Sequence, residues 1–128
     1  TLNKIPDDMD FDEATLITTA GTTLYGLDSL GGWISGETIA VTGPGPIGLM
    51  GVQCARALGA TVILTGTRDS RLELGRKLGA DYTVNVRNEN PVEAVRRITG
   101  GQGGRLRPRV LRSLERRPGG PRDGEARR

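Results

Sequence analysis

Across residues 12–30 (DEATLITTAGTTLYGLDSL), apolar side chains recur at Leu16, Ile17, Ala20, Leu24, Leu27 and Leu30 behind an acidic opening. Spacing of three and four places them on one face of a helix, which predicts a single helix with one buried side. Gly31 and Gly32 end it. The pattern then changes: residues 38–42 (TIAVT) form a β-branched run between Gly36 and Gly43, as expected of a buried strand. Residues 46–58 return to helical spacing, with Pro46 suited to the first turn and Gly59 to the C-cap. A second round follows, with a strand over residues 61–65, a helix over 70–78 closed by Gly79, a short strand over 82–84 and a helix over 91–99.

Strands alternating with helices of about ten residues predict the α/β class, with a parallel sheet and right-handed crossovers. The arrangement is the first half of a doubly wound (Rossmann) domain. No strand is expected after Gly100, so the sheet is predicted to have three strands and an unpaired edge, which favours aggregation.

Composition removes several kinds of chemistry. The twenty glycines have no three-residue period, so the chain is not collagen-like. A single cysteine, Cys54, excludes an internal disulfide or a cysteine-cluster zinc site. With no histidine, this chain cannot itself supply a Ser-His-Asp triad, a Cys-His pair or a histidine metal site. No apolar run approaches the roughly 20 residues that cross a bilayer and no signal peptide is visible, so a soluble, cytoplasmic protein without a membrane partner is expected. The start at Thr1, without methionine, points to a fragment.

The net charge of +3 is unevenly placed. Residues 104–128 hold nine arginines and three acids, leaving nine basic and twelve acidic groups in residues 1–103. All of the basicity lies at the end of the chain.

The richest segment for chemistry is Gly43-Pro44-Gly45-Pro46-Ile47-Gly48, a G-x-G-x-x-G sequence that follows a strand and opens a helix. Gly43 allows the tight turn, Gly45 lets a pyrophosphate approach the backbone, and Gly48 lets helix and strand pack closely. The amides near Ile47 and Gly48 lie at a helix N-terminus, where free N–H groups and the helix dipole favour an anion. The segment is therefore expected to bind a nicotinamide dinucleotide.

The end of the next strand discriminates between the two dinucleotides. A carboxylate there would bond the ribose 2′-hydroxyl of NAD and repel the 2′-phosphate of NADP. This chain has Gly66 at that point, followed by Thr67 and Arg68, with Arg71 one turn on. Room at Gly66, a hydroxyl at Thr67 and two guanidinium groups predict NADP(H) in preference to NAD(H). Asp69 is expected to cap the following helix.

These residues resemble a known family. The stretch GETIAVTGPGPIGLMGVQCARALGATVILTGTRDSRLELGRKLGAD is similar to the start of the cofactor domain in the medium-chain zinc-dependent alcohol and polyol dehydrogenases, which include sorbitol and threonine dehydrogenases. The resemblance covers about residues 5–103 and rests on G-x-G-P-I-G-L, A-x-x-L-G-A and the later L-G-A-D in the family's order. It implies hydride transfer between nicotinamide and a small alcohol, polyol or carbonyl substrate, in a parent that is a homo-oligomer. It makes residues 1–35 the end of a catalytic domain with its linking helix, 36–103 the first half of the cofactor domain, and 104–128 an arginine-rich aberrant or disordered tail. It places Thr23 at the nicotinamide end, and Gly66-Thr67-Arg68 imitates the Gly-Ser-Arg of NADP-specific members. The family's zinc is held by Cys, His and usually Glu from an N-terminal domain absent here, and Thr18-Thr19-Ala20 offers no usual ligand. Zinc is thus expected only in a full-length parent, and no catalytic residue is assigned in this chain. A zinc-free quinone or enone reductase of the same superfamily is the alternative.

Other features read as structural. Cys54, in step with Met50 and Leu58, is expected as a small core residue, and Trp33 as packing at a domain junction. Asp7, Asp8, Asp10 and Asp12 lack the Gly and final Glu of a calcium loop and read as a solvated approach to a helix. Arg96 and Arg97 read as exposed charges at a helix C-terminus. The tail has three readings: a nucleic-acid-binding arm in a non-enzymatic module, a disordered tail, or a change of translation frame. The frame change fits best. The family pattern stops at Gly104, and sixteen arginines against two lysines suggest a GC-rich gene whose shifted frame reads as Arg, Pro and Gly. One base later, GC-rich codons permit a strand, turn and helix. Nucleic acid is accordingly not the expected partner, and the chain alone is expected to be inactive.

Overall fold

The computed structural model describes residues 3–31, 34–101 and, as backbone only, 109–112. Trp33 and the rest of the arginine tail lie outside the described residues.

Two helices open the chain. Helix α1 (Phe11–Thr15) begins at Asp10, whose carboxylate accepts from the Glu13 amide at 2.7 Å. Helix α2 (Ile17–Asp28) follows after a break at Leu16, whose N–H reaches back three residues to the Glu13 carbonyl. The single helix expected over residues 12–30 is therefore two. The buried face differs as well. Helix α2 packs on α3 (Pro46–Ala57) and buries Thr23 and Leu27, while Leu16, Ile17 and Leu24 remain 53%, 48% and 46% exposed. The period was helical and the stripe is half right: Leu27 is buried and Leu30 packs against the core, whereas Leu16, Ile17 and Leu24 face away from it.

The sheet has four parallel strands in the order β3-β2-β1-β4: β1 (Thr38–Thr42), β2 (Thr61–Gly66), β3 (Tyr82–Asn85) and β4 (Arg109–Arg112). Helices α3, α4 (Asp69–Lys77) and α5 (Pro91–Ile98) connect them. Side chains alternate across a strand, and the core divides accordingly. Ile39, Val41, Val62 and Leu64 meet Leu49, Val52, Ala55 and Leu72 of α3 and α4 on one face, whereas Ile63 and Val84 meet Ala94 of α5 in a smaller cluster. Full burial of a Val, Leu or Ile side chain stabilises by about 1.5–3 kcal/mol, so the larger cluster dominates the stability of this unit.

Strand β4 corrects the expectation that no strand follows Gly100. It pairs with β1 in the register Ile39↔Arg109 to Thr42↔Arg112 and occupies the edge predicted to be open. The sequence signal was weak, since Val110 and Leu111 are two apolar residues between arginines. Backbone groups along β1 accept a strand whatever its side chains, because ladder hydrogen bonds use only the main chain. With β4 in place, the strand order reverses direction at β1. In open α/β sheets, ligands bind beyond the carboxyl ends of the strands at such a reversal.

Helices α3 and α4 end alike. Gly59 and Gly79 have φ of 85° and 114°, and their neighbours Ala60 and Ala80 bond back to the carbonyls of Ala55 and Gly75. This six-to-one closure needs a left-handed residue, which explains both glycines.

Candidate functional site

The glycine loop leaves the carboxyl end of β1, at the reversal point. Gly43 adopts φ of 93°, a conformation that side chains disfavour, and its N–H donates to the Thr65 carbonyl at 2.9 Å. Gly45 is the N-cap of α3 and Pro46 its first residue. The Leu49 N–H reaches the Gly45 carbonyl at 2.8 Å, and the amides of Ile47 and Gly48 precede that bond without a side-chain cap. Two backbone donors at the positive end of a helix thus sit beside the loop. Gly48 is buried, and a Cβ there would run into the Gly43 carbonyl oxygen, which accounts for the third glycine.

Beside the loop lies a cleft of about 350 Å³ lined by Gly43, Pro44, Gly45, Pro46, Thr67, Arg68 and Arg71. Six of the residues singled out from the sequence, Gly43, Gly45, Pro46, Thr67, Arg68 and Arg71, therefore meet at one place although they come from two separate strand–helix junctions. Arg68 and Arg71 are exposed, and neither enters an ion pair among the described residues. Ile47 is at the helix start, and Gly48 and Gly66 are buried, so none of these three lines the cleft. Thr23 is only 1% exposed, and its hydroxyl donates to the Thr19 carbonyl at 2.8 Å within α2.

Asp69 does not cap α4. The N-cap is Arg68, without a side-chain bond, and the Asp69 carboxylate instead accepts from the Asn85 amide at 2.6 Å. Asn85 also accepts from the Arg87 N–H at 3.0 Å. It thereby ties the end of β3 to the turn that presents Thr67 and Arg68. Sequence reasoning missed Asn85, and it missed Pro44 as a wall of the cleft. The only available signal for Asn85 was its place at a strand end level with the loop.

A second cavity, of about 440 Å³, lies against α5 and is lined by Ala40, Thr42, Thr65, Pro91, Val92, Val95 and Arg96. Its wall is mostly apolar, without the paired cations of the first. Cys54 packs at the edge of the main core, and burial raises its thiol pKa, as expected of a structural cysteine.

A family model described as zinc-binding dehydrogenase matches residues 46–106, from the first turn of α3 into the tail. Residues 46–106 belong to the zinc-binding dehydrogenase family. Among curated relatives, the chain is 38% identical over 98 residues to an alcohol dehydrogenase of Geobacillus stearothermophilus, an alignment covering 77% of this chain and 29% of the relative. It is 37% identical over 100 residues to a sorbitol dehydrogenase of Bacillus subtilis, covering 77% and 28%. Among solved structures, a quinone oxidoreductase of Pseudomonas syringae superposes with a TM-score of 0.72 at 28% identity, covering 78% of this chain and 31% of that one. The chain thus spans less than a third of the length of these proteins. Both the α/β fold and the family expected from the sequence are borne out.

Proposed function

We propose that this chain supplies the dinucleotide-binding half of an NADP(H)-dependent oxidoreductase acting between an alcohol or polyol and its carbonyl product. One observation carries the reading: Thr67, Arg68 and Arg71 line the same cleft as the glycine loop, and the strand position before them is a glycine rather than an acid. The residues present suit such a group, since helix α3 would offer the Ile47 and Gly48 amides to a pyrophosphate while the two guanidinium groups and the Thr67 hydroxyl would hold a 2′-phosphate. When bound, the nicotinamide supplies hydride donation or acceptance. The chain's own work is to hold the phosphates, fix the angle at which the dinucleotide leaves the sheet, and keep a carboxylate away from the ribose. Thr23 is proposed, by family resemblance, as the group nearest the nicotinamide end.

Among the described residues no three of His, Cys, Asp or Glu come together to hold a metal. In this reading any zinc in the parent is held by residues outside this chain, and no step is assigned to it here. Titration of the 128-residue chain with both reduced cofactors tests the cofactor reading, and tighter binding of NADH would end it.

The similarity to a quinone oxidoreductase favours a second reading, a zinc-free reductase on the same fold. Assay of the full-length parent with alcohols and quinones, together with its metal content, separates the two. Residues 104–128 remain proposed as a frame-shifted segment, a reading supported by the family match ending at residue 106. A stop codon or loss of the family pattern in the shifted frame of the nucleotide sequence would overturn it.

A further inference from the structure

Gly66 is not required by its backbone. It is a strand residue with no positive φ, and its carbonyl accepts from the Val86 N–H at 2.9 Å like any rung of a ladder. The obstacle to a side chain is Pro44. A Cβ on residue 66 would lie 2.6 Å from Pro44 Cδ and 2.7 Å from Cγ, with Leu72 Cδ2 at 3.3 Å. The leucine can turn away by changing rotamer. The proline cannot, because its Cδ is bonded to its own backbone nitrogen and the ring fixes φ. Its neighbour Gly43 is in turn held by the bond from its N–H to the Thr65 carbonyl. Relief therefore requires movement of the loop that lines the cleft.

We propose that Pro44 is a specificity-determining residue: its ring occupies the space needed by any side chain at position 66 and so excludes the acidic strand end that would select NAD. The inference deepens the NADP(H) reading and rests on it for its consequence, though not for its steric basis. Alanine at position 44 lacks Cγ and Cδ and would open that space. In the Pro44 background an acid at position 66 distorts the loop before it can reach a ribose.

The test is a cycle on the 128-residue chain: wild type, Gly66→Ala, Pro44→Ala and the double variant, followed by thermal unfolding. Overpacking against a ring that cannot rotate is expected to lower the melting temperature of Gly66→Ala by roughly 5–15 °C relative to wild type. Adding the same change to Pro44→Ala should cost less than half of that. Gly66→Asp is then titrated with NADPH and NADH alone and with Pro44→Ala. NADH affinity is expected to rise at least about ten-fold only in the combined variant. Equal losses of melting temperature in the two backgrounds, or Gly66→Ala melting with wild type, would overturn the proposal. If instead wild type binds NADH more tightly than NADPH, the NADP(H) reading fails while the melting cycle still decides the Pro44 contact.

Discussion

Replacing Gly48 with alanine adds one methyl group at the crossing of α3 and β1, and the structure indicates what it meets. The new carbon would run into the Gly43 carbonyl oxygen, with the Gly43 carbonyl carbon at 3.1 Å and Val41 Cγ1 at 3.6 Å. Inserted methyl groups in packed interiors cost about 1–3 kcal/mol when side chains can give way. Here the obstacle is main chain in a left-handed turn, so the cost is expected at the upper end, about 3 kcal/mol. For a unit of this size that corresponds to a fall of at least ~12 °C in melting temperature. Gly21 provides the control. It lies inside α2 with nothing within 4 Å of its added Cβ, and there alanine should stabilise by about 0.5–1 kcal/mol through the lower entropy of the unfolded chain. The same chemical change should thus act in opposite directions at two helical glycines, as followed by circular dichroism on heating. Gly48→Ala melting within about 3 °C of wild type, or a comparable loss from Gly21→Ala, would refute the reasoning.

Other outcomes follow from single contacts. Arg68→Ala and Arg71→Ala should each weaken NADPH binding about five-fold, and roughly thirty-fold together, with NADH binding changed by less than about two-fold; equal loss for both cofactors in a fluorescence titration would contradict the 2′-phosphate role. Asp81 accepts from the Val62 N–H at 2.8 Å and from Arg56 at 3.1 Å, so Asp81→Ala should destabilise by about 1–2 kcal/mol in urea unfolding, whereas a purely superficial ion pair would give almost nothing. Because burial raises the Cys54 pKa, less thiolate is present at a given pH; alkylation in the folded chain should be slower than in urea at pH 8, and equal rates would show that the thiol is not shielded.

The sequence was most legible where local chemistry alone decides structure. The β-branched run at residues 38–42 and the glycines at 59 and 79 set strand and helix ends through backbone preference, and these elements lie where expected. Reading failed where the partner decides. Leu27 was legible as a buried residue, but nothing local shows that Thr23 joins it while Leu16, Ile17 and Leu24 stay exposed. Strand β4 depends on the ladder offered by β1 and not on its own arginine-bounded composition. The site divides similarly. The glycine loop and the residues 67, 68 and 71 were readable because each carries its own chemistry, but Asn85 on Asp69 and Pro44 against Gly66 are contacts between distant positions that no spacing announces.

The central claim is that this cleft selects a phosphorylated ribose. Competitive titration of the 128-residue chain with NADPH and NADH at low and high salt addresses it directly. NADPH is expected to bind at least about ten-fold tighter, with the margin shrinking as salt screens the arginines. Equal affinities, or tighter binding of NADH at either salt concentration, would contradict it.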